Sequence, residues 1–348
     1  MKRATIGIDI GSYGIKLAKL KRKKNDIVAV KLVFEKYPDN LNYENLDSKN
    51  IASFITELFK KNRIKDKVVC ASLHGNDVIV KNITLPPVEK SELRQAVSWE
   101  AEQYIPYNIN DVSIGFQVLP SDDSSRTNVL IAAAKKETVD KRKGILRKAG
   151  LDVEIMDIDS LAIANCFEQS YDDAKDFVYL IDIGKSYTKL NILNNGITLF
   201  ARDMPTGTTE FTSRISERLD ISYAEAERLI QKFNADKEDN PNQNELTKIF
   251  DESCKAISTS IASSIQFFLK SDENTDAEPM QASVYVSGGG ALIPGIIPYI
   301  QEELSSEVSV MNPFRAISID PTKIDIANIK NKETIYSTSV GLALRSIF

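Results

Sequence analysis

Two stretches of the chain repeat a set of residues that could together hold a phosphate group. Residues 9–17 read DIGSYGIKL and residues 182–190 read DIGKSYTKL, and five of the nine positions are identical. A glycine-rich turn between two strands exposes consecutive backbone N–H groups, which form a concave site for an anion. Side-chain donors would be added by Ser12, Lys185 and Ser186. The repeat therefore predicts two phosphate-binding hairpins, one in each half of the chain.

The aspartate that opens each repeat could bind a metal ion. Asp9 and Asp182 each end a predicted strand beside the turn. If the two carboxylates face each other across a cleft, they could hold a hydrated Mg²⁺, which prefers carboxylate and phosphate oxygens and keeps several waters. Lys16, on the return strand, could reach a β- or γ-phosphate as a point charge. One such hairpin is commonly only a turn, but two copies in matched positions favour phosphate binding.

A third glycine-rich segment lies near the end of the chain. Residues 286–296 read VSGGGALIPGI, so a predicted strand runs into three glycines and a helix follows. A backbone without Cβ atoms can lie against a flat ring or a ribose–phosphate. The alternative is a tight connection between a strand and a helix, but the two hairpins favour the ligand. The sequence contains neither a Walker A motif nor G-x-G-x-x-G, so P-loop and Rossmann folds lack their signatures.

Hydrophobic patterning places these motifs in an alternation of strands and helices. Strands are predicted at residues 5–10, 15–20, 27–34, 68–73, 78–85, 112–119, 128–134, 177–183, 188–193, 197–202 and 283–287. Helices are predicted at residues 51–62, 89–104, 138–149 and 160–169, within 208–270, and near 334–348, with polar loops at 236–244 and 272–278. The second half repeats the order strand, glycine turn, strand, turn, strand. This repetition predicts two α/β lobes related by duplication.

Composition excludes several classes of protein. The chain has 348 residues, 42% of them hydrophobic and 27% charged, which is ordinary for a globular protein of about two domains. The net charge of -5 leaves no surplus of cations for phosphate backbones, so nucleic-acid binding is not expected. Three distant cysteines predict a reducing compartment rather than a disulfide framework. Neither a signal peptide nor a membrane span is predicted, so a cytoplasmic location is expected.

In their order along the chain, the three motifs resemble the phosphate 1, phosphate 2 and adenosine motifs of the actin-like ATPase superfamily. The resemblance implies an α/β fold of two duplicated, ribonuclease H-like lobes, with ATP and Mg²⁺ in a cleft between them. It implies nucleotide contacts at Asp9, Gly11, Ser12, Tyr13, Lys16, Asp182, Gly184, Lys185, Ser186, Thr188, Gly288, Gly289 and Gly290. Glu227, in the sequence AERLI, is implied at the ribose.

Whether ATP is hydrolysed stays open in the sequence. In hydrolysing relatives a Glu or Gln at the start of the helix before phosphate 2 orients the attacking water, and Asp159 is the residue implied there. Asp is one methylene shorter, and the positioning of a nucleophile depends steeply on distance. Asp159 could instead cap the helix predicted at 160–169, a role that Asp fills well. Binding of ATP is therefore predicted, and catalysis by Asp159 is one of two alternatives.

The region between the hairpins narrows the resemblance. Residues 78–119 begin VIVKNITLPPVEKSELRQAVSWEAEQYIPY, and residues 128–167 begin NVLIAAAKKETVDKRKGILRKAG. Both resemble the PilM family, the cytoplasmic actin-like component of the bacterial type IV pilus assembly machinery. The most specific segment is WEAEQYIPY, residues 99–107. This resemblance covers essentially the whole chain.

The PilM family resembles the division protein FtsA, which implies an FtsA-like 1C subdomain inserted in the first lobe. The implied subdomains are 1A at residues 1–76 with 151–172 and the C-terminal helix 334–348, 1C at residues 77–150, 2A at residues 173–206 and 277–333, and 2B at residues 207–276. FtsA ends in an amphipathic membrane-targeting helix behind a linker. No such tail is expected after the last predicted helix, which favours PilM over FtsA.

The PilM resemblance also implies partners. Members of the family bind a short N-terminal cytoplasmic segment of PilN, an inner-membrane protein, in a groove between 1A and 1C. Trp99, Tyr104 and Ile105 are the residues implied on the 1C side, although they could equally belong to the core of 1C. The resemblance further implies contacts with other pilus assembly components, including the motor ATPases, self-association into a ring, and membrane attachment only through protein partners.

Two other functions stay open at this level. One is an FtsA-like, filament-forming division or cytoskeletal ATPase. The other is a small-molecule kinase of the sugar or acetate class, which needs a substrate pocket with a catalytic base, and no motif for that base is visible in residues 77–150. His74 is the only histidine, which excludes a His-dependent catalytic triad unless His74 serves alone.

Overall fold

Three β-sheets form the framework of the molecule. The computed structural model describes residues 5–24, 26–38, 48–121, 125–171, 177–233, 242–271 and 282–347. The strands are β1 (Thr5–Ile10), β2 (Gly14–Lys23), β3 (Asp26–Lys36), β4 (Val68–Leu73), β5 (Val78–Leu85), β6 (Val112–Val118), β7 (Thr127–Lys135), β8 (Asp152–Ile158), β9 (Phe177–Ile183), β10 (Thr188–Asn194), β11 (Ile197–Met204), β12 (Ser283–Ser287), β13 (Val308–Val310) and β14 (Ser318–Ile319).

Helices cover the sheets and connect them. They are α1 (Ser48–Lys61), α2 (Leu93–Ala101), α3 (Lys136–Lys148), α4 (Asp159–Ser170), α5 (Thr209–Leu219), α6 (Tyr223–Lys232), α7 (Gln243–Ser271), α8 (Ile296–Leu304) and α9 (Ser337–Leu344). In the described part of the chain, no helix combines the length and the apolar character needed to cross a membrane.

The two larger sheets have the same strand order. The first runs β14-β3-β2-β1-β4-β8 and the second runs β11-β10-β9-β12-β13. In each sheet, three consecutive strands form an antiparallel meander, β1-β2-β3 in the first and β9-β10-β11 in the second. A fourth strand then pairs parallel with the first strand of the meander, and a fifth pairs parallel with the fourth. Apart from β14, each sheet therefore has the order 3-2-1-4-5. This identity of order confirms the predicted duplication, and the two sheets are called the first lobe and the second lobe below.

The third sheet, β5-β7-β6, is built from the chain between β4 and β8. Its inner face and α2 bury an apolar cluster of their own, which includes Val97, Ile105 and Ile131. The predicted β-α-β-β-α order is present, and these strands with α2 are called the inserted module. Helix α3 follows the module in sequence, but its Ile145 and Leu146 pack in the core of the first lobe.

Helices α4 and α9 fasten the two lobes together. One apolar cluster contains Ile163 of α4 and Val340 of α9 together with Ala18 of β2 and Val178 of β9. All eight residues of α9 are buried, and the buried hydroxyls of Ser337 and Ser339 donate to backbone carbonyls in the preceding turn. Strands β2 and β9, each of which forms part of one hairpin, therefore pack against the same pair of helices.

Several elements differ from the sequence prediction. Strands β8, β13 and β14 were not predicted, and α2 is shorter than the helix predicted at 89–104. Residues 277–333 were predicted in the second lobe, but β14 pairs with β3 of the first lobe at Ser318 and Val28. This pairing is favourable because β3 would otherwise be an edge strand with unpaired backbone groups. The loop predicted at 272–278 lies outside the described residues, and the other subdomain limits stay a prediction.

Candidate functional site

Both hairpins line one cleft between the lobes. The cleft has a volume of about 960 Å³, at the upper end of the range usual for ligand pockets. It is lined by twelve of the predicted nucleotide contacts: Asp9, Gly11, Ser12, Tyr13, Lys16, Asp182, Gly184, Lys185, Glu227, Gly288, Gly289 and Gly290. The backbone N–H of Ser186 donates to Ser12 Oγ at 3.2 Å, so the two turns touch across the cleft.

Two of the predicted residues do not line the cleft. Ser186 is half-buried and contributes its backbone N–H to the contact between the hairpins. Thr188 is fully buried, and its Oγ1 has no hydrogen-bond partner within the described part of the chain. The structure therefore gives Ser186 a bridging position and places Thr188 beneath the surface of the cleft.

The repeated sequence produces the same ion pair in each lobe. Asp9 lies directly opposite Lys16 in the β1–β2 pairing, and Asp182 lies directly opposite Lys189 in the β9–β10 pairing. Directly opposed residues of antiparallel strands bring their side chains together on one face. The lysine Nζ lies 3.1 Å from Asp9 Oδ2 in the first pair and 3.2 Å from Asp182 Oδ2 in the second.

Lys189 is the centre of a buried charge cluster that the sequence analysis did not identify. Its Nζ also lies 3.0 Å from Asp159 Oδ2, so the ammonium joins β10 of the second lobe to α4. Burial alone would lower the pKa of Lys189, but surrounding carboxylates outweigh burial and raise the pKa well above its ordinary value. These carboxylates belong to Asp159, Asp182, Asp203 and Asp9. Lys189 is therefore charged at neutral pH.

Asp159 is held by three side chains rather than by the end of its helix. The predicted capping role is wrong, because the N-cap residue is Ile158 and no side chain makes a capping hydrogen bond there. Ser72 Oγ donates to Asp159 Oδ1, and Asp159 Oδ2 lies 3.2 Å from His74 Nδ1 and 3.0 Å from Lys189 Nζ. Oδ1 thus accepts a hydrogen bond, whereas Oδ2 lies within ion-pair distance of two side chains without a hydrogen bond in the described part of the chain. Asp159 is buried beneath the cleft rather than lining it.

The charge of Asp159 is stabilised in spite of its burial. Burial alone would raise the pKa of this carboxyl, but Lys189 and His74 outweigh burial and hold the pKa far below its ordinary value. A carboxylate with such a low pKa is a weak base. Its catalytic role stays a prediction, and the geometry assigns its oxygens to protein donors.

Asp203 of β11 adds a further hydrogen bond between the lobes. Its Oδ2 accepts a hydrogen bond of 2.6 Å from the backbone N–H of Gly75, which follows β4. Burial raises the pKa of Asp203 above its ordinary value, although Lys189 and the Gly75 N–H both act in the opposite direction. Asp203 therefore ties the end of β11 to the first lobe beside His74.

Glu227 of α6 lines another part of the cleft, beside Lys185 and Tyr13. Its carboxylate contacts Lys185 Nζ and Lys36 Nζ, each at 2.7 Å, so one acidic residue of α6 pairs with a lysine of each lobe. Burial would raise the pKa of Glu227, but these two lysines lower it. Both ammonium groups also lie 5.3 Å from the centre of the Tyr13 ring. Tyr13 and Glu227 therefore form the outer wall, with Lys185 and Lys36 between them.

The three glycines after β12 lie against the second hairpin. Gly288 has a φ of 84°, and a Cβ added there would lie 2.6 Å from the carbonyl oxygen of Ile183 and 2.8 Å from Asp182 Oδ1. Ser287 Oγ donates to Asp182 Oδ1 at 2.9 Å. The chain then forms a short 3₁₀ turn at Gly289–Leu292 before α8. Gly288 is thus required for the close approach of the third motif to Asp182.

This close approach makes a testable difference between neighbouring glycines. We expect Gly288→Ala to lower the free energy of unfolding by about 2–4 kcal/mol, because it combines a left-handed backbone with a steric clash. At Gly289 an added Cβ meets no atom within 4 Å, so Gly289→Ala should change that free energy by less than about 0.5 kcal/mol. Urea denaturation followed by circular dichroism measures both. Equal losses in the two variants would contradict the packing of Gly288.

The donors that line the cleft fit a nucleotide. Lys16, Lys185 and Lys189 supply cations and Ser12 a hydroxyl, while the Gly288 backbone offers a surface without a Cβ. A divalent metal fits only with help from a ligand, since Asp9 and Asp182 are each paired with a lysine. Within the described ranges, no cluster of three potential metal-ligating side chains exists. Mg²⁺ would therefore be held partly by phosphate oxygens, as this ion prefers.

The predicted partner residues are divided between surface and core. Trp99 of α2 is 64% exposed and Tyr104 is 42% exposed, whereas Ile105 is buried in the core of the inserted module. Lys81 Nζ lies 5.3 Å from the centre of the Tyr104 ring. Single exposed aromatic side chains are common on protein surfaces, so their exposure makes Trp99 and Tyr104 accessible without assigning them a partner. Two of the three residues are therefore available for a partner, and Ile105 is structural.

His74 and Lys189 line the cleft but were not predicted as site residues. The signal for Lys189 was present, since it occupies the same place in the second repeat as Lys16 in the first. His74 had no such signal, because its position depends on the parallel pairing of β4 with β1, which brings the end of β4 to the cleft.

Comparison with known proteins gives this geometry a context. A family model described as type IV pilus assembly protein PilM matches residues 7–347. Among solved structures, the chain resembles the "PilM-PilN type IV pilus biogenesis complex" with a TM-score of 0.84 and 23% identity, covering 99% of this chain and 98% of that one.

Two more distant structures have the same fold. The ethanolamine utilization protein EutJ from Carboxydothermus hydrogenoformans has a TM-score of 0.58 and 15% identity, covering 99% of this chain and 90% of EutJ. MreB5 of Spiroplasma citri bound to AMPPNP has a TM-score of 0.54 and 13% identity, covering 99% and 96% of the two chains. The predicted actin-like ATPase fold is confirmed by these likenesses. Since the family match spans nearly the whole sequence, the chain belongs to the PilM family of type IV pilus assembly proteins.

Proposed function

We propose that this protein binds Mg²⁺ and ATP between its lobes and acts as the actin-like scaffold of a type IV pilus assembly machinery. The observation that carries the proposal is the meeting of the two hairpins in one cleft, with Ser186 N–H and Ser12 Oγ 3.2 Å apart. Each hairpin adds an Asp–Lys pair to the cleft floor. Support also comes from MreB5, which shares the fold and was solved bound to AMPPNP.

The partner in this proposal is the N-terminal cytoplasmic segment of PilN. The related structure is described as a PilM–PilN complex, and Trp99 and Tyr104 present aromatic surface on the inserted module. Exposed aromatic residues are frequent anchors of protein interfaces. Through PilN the protein would be attached to the inner membrane from the cytoplasm, and it would connect the membrane complex to motor ATPases and other pilus components.

The test is capture of a PilN peptide by the purified protein, with and without ATP and Mg²⁺. Wild type is expected to bind ATP and to capture the peptide. Asp182→Ala should weaken binding of ATP with Mg²⁺, because it removes a carboxylate placed to share Mg²⁺ and one of the two carboxylates that hold the Lys189 ammonium in position. Isothermal titration calorimetry measures the nucleotide, and fluorescence anisotropy of a labelled peptide measures the partner.

A second arm tests the partner surface separately. Trp99→Ala is expected to weaken peptide binding by about 10-fold or more, as at an interface anchor, with ATP affinity unchanged. Tyr223→Ala is the matched control, since Tyr223 of α6 is an exposed aromatic residue of the second lobe. Equal peptide binding by all three proteins would refute the assigned surface. Absence of ATP binding by wild type would refute the nucleotide role.

A further inference from the structure

We propose that Lys189 binds the terminal phosphate of the nucleotide and thereby distinguishes ATP from ADP, an inference that rests on the proposed nucleotide function. Lys189 is not among the nucleotide contacts that the resemblance implies. Three observations support this role. Lys189 is the most buried of the hairpin lysines, two carboxylates hold its ammonium group in place, and Lys16, its equivalent in the first repeat, lacks the second of these contacts.

Among the three hairpin lysines that line the cleft, burial increases from Lys185 to Lys189. The Lys185 side chain, which pairs with Glu227, is 28% exposed, that of Lys16 is 18% exposed, and that of Lys189 is 12% exposed. Glu227 and Tyr13 form the outer wall, where the ribose is expected. A nucleotide bound with its ribose at that wall directs its phosphate chain inwards, so its last phosphate reaches the most deeply placed cation. That cation is the Lys189 ammonium.

The Lys189 ammonium group is held in place, but not all of its N–H donors are used. An ammonium group has three N–H donors. The structure shows two carboxylate contacts, to Asp159 at 3.0 Å and to Asp182 at 3.2 Å, and Lys189 also lines the cleft. The remaining donor is therefore available to a phosphate oxygen. A donor that is oriented before the ligand arrives loses little entropy on binding and is effective at discriminating charge.

The carboxylate that fixes Lys189 is itself fixed by the first lobe. Ser72 donates to Asp159 Oδ1, and His74 lies 3.2 Å from Asp159 Oδ2, so Asp159 cannot turn away from the ammonium without losing both contacts. Within the described residues, Lys16 pairs with a single carboxylate, that of Asp9, and lacks a second anchor of this kind. The two lysines are equivalent in sequence, but only Lys189 is anchored to both lobes.

This difference predicts that the two lysines affect different nucleotides. Lys189→Met is expected to weaken ATP binding by about 10- to 100-fold, the usual effect of losing one hydrogen bond to a charged group, and to change ADP binding by less than about 3-fold. Lys16→Met is the matched control and is expected to weaken ATP and ADP equally. Lys189→Arg, which keeps the charge, is expected to recover most of the ATP affinity. Isothermal titration calorimetry with ATP and ADP, each with Mg²⁺, gives the ratio of ATP affinity to ADP affinity for wild type and for each of the three variants.

A further variant separates phosphate binding from folding. Lys189→Met leaves Asp159 and Asp182 buried without their shared cation, which destabilises the protein. The double variant Asp159→Asn with Lys189→Met removes one charge of each sign, and it is expected to fold and to show the same loss of preference for ATP. Thermal unfolding without nucleotide verifies that these variants are folded.

The outcomes distinguish this inference from the proposed function. If wild type binds ATP and the Lys189 variants weaken ATP and ADP by the same factor, the inference is overturned and the nucleotide function stands. Unchanged ATP affinity in the folded double variant also overturns it. If wild type binds neither nucleotide, the proposed function fails and the inference fails with it.

Discussion

Replacing Gly341 with alanine is expected to lower the free energy of unfolding by about 3 kcal/mol or more, the upper range for an overpacked core. A Cβ at Gly341 of α9 would lie 1.7 Å from the carbonyl oxygen of Ala162 in α4. The helix has no room to retreat, because on another side a Cβ on Gly7 of β1 would lie 2.0 Å from the carbonyl oxygen of Ser339. Helix α9 is therefore wedged between α4 and β1.

Helix α3 offers the matched control. A Cβ at Gly144 would meet no atom within 4 Å, and Gly144 lies inside the helix. Gly144→Ala should therefore stabilise the protein by about 0.5–1 kcal/mol, the usual preference for alanine in a helix. The same substitution is thus expected to have opposite signs in two helices. Urea denaturation followed by circular dichroism measures both, and a loss below about 1 kcal/mol in Gly341→Ala would show that α4 and α9 can separate.

The wedge matters for the site because α9 packs against two elements that carry acidic residues, one in the cleft lining and one beneath it. Strand β1 ends beside Asp9, and α4 begins with Asp159. A displacement of α9 would change the spacing between these carboxylates, whose partners lie in the hairpins. Glycine at positions 7 and 341 therefore permits the close packing on which both the core and the placement of Asp9 and Asp159 depend.

The repeat itself predicted most of the site because its spacing is local. In a two-stranded hairpin, residues equally distant from the turn lie opposite each other, so Asp9 and Lys16 must meet whenever the turn has this length. The same argument holds for Asp182 and Lys189. What the repeat could not show was that Lys189 also reaches Asp159.

The contacts around Asp159 were not predictable because they join distant parts of the chain. Ser72, Asp159 and Lys189 come from β4, α4 and β10, and no spacing rule connects them. The local rule for an aspartate before a helix is capping, and here three donors of the fold compete successfully with the helix end. The short strands β13 and β14 were missed for a related reason. Their two or three residues show no alternation, and they are defined only by their neighbours.

Strand β8 is a different case, because its alternation was visible. Val153 and Ile155 alternate with the charged Asp152 and Glu154, as in a strand with one exposed face. The strands that were predicted have denser runs of β-branched residues than this edge strand, which was not predicted. Without β8, the sequence did not show that α4 directly follows a strand of the first sheet, which places Asp159 beside the end of β4 and beneath the cleft.

Replacing Lys16 with glutamate is expected to have the largest effect on nucleotide binding. The substitution removes one cation from the cleft floor and places a carboxylate directly opposite Asp9, so an attraction for phosphate becomes a repulsion. Each such change costs roughly 1.5–2 kcal/mol, and together they should weaken the affinity for ATP with Mg²⁺ by about 100- to 1000-fold. Isothermal titration calorimetry at fixed ionic strength measures the loss.

Lys19→Glu distinguishes the position of the charge from its sign. Lys19 lies on the same strand, pairs with Asp66 at 2.6 Å, and does not line the cleft, yet its replacement changes the net charge by the same amount. Long-range effects of net charge are largely screened beyond about 10 Å at 0.1 M salt, so Lys19→Glu should leave the affinity within about 2-fold of wild type. Equal losses in both variants would mean that the overall field, rather than the hairpin, attracts the nucleotide. Unchanged binding in Lys16→Glu would mean that the phosphates lie elsewhere, because no triphosphate held at this floor could tolerate adjacent carboxylates at residues 9 and 16.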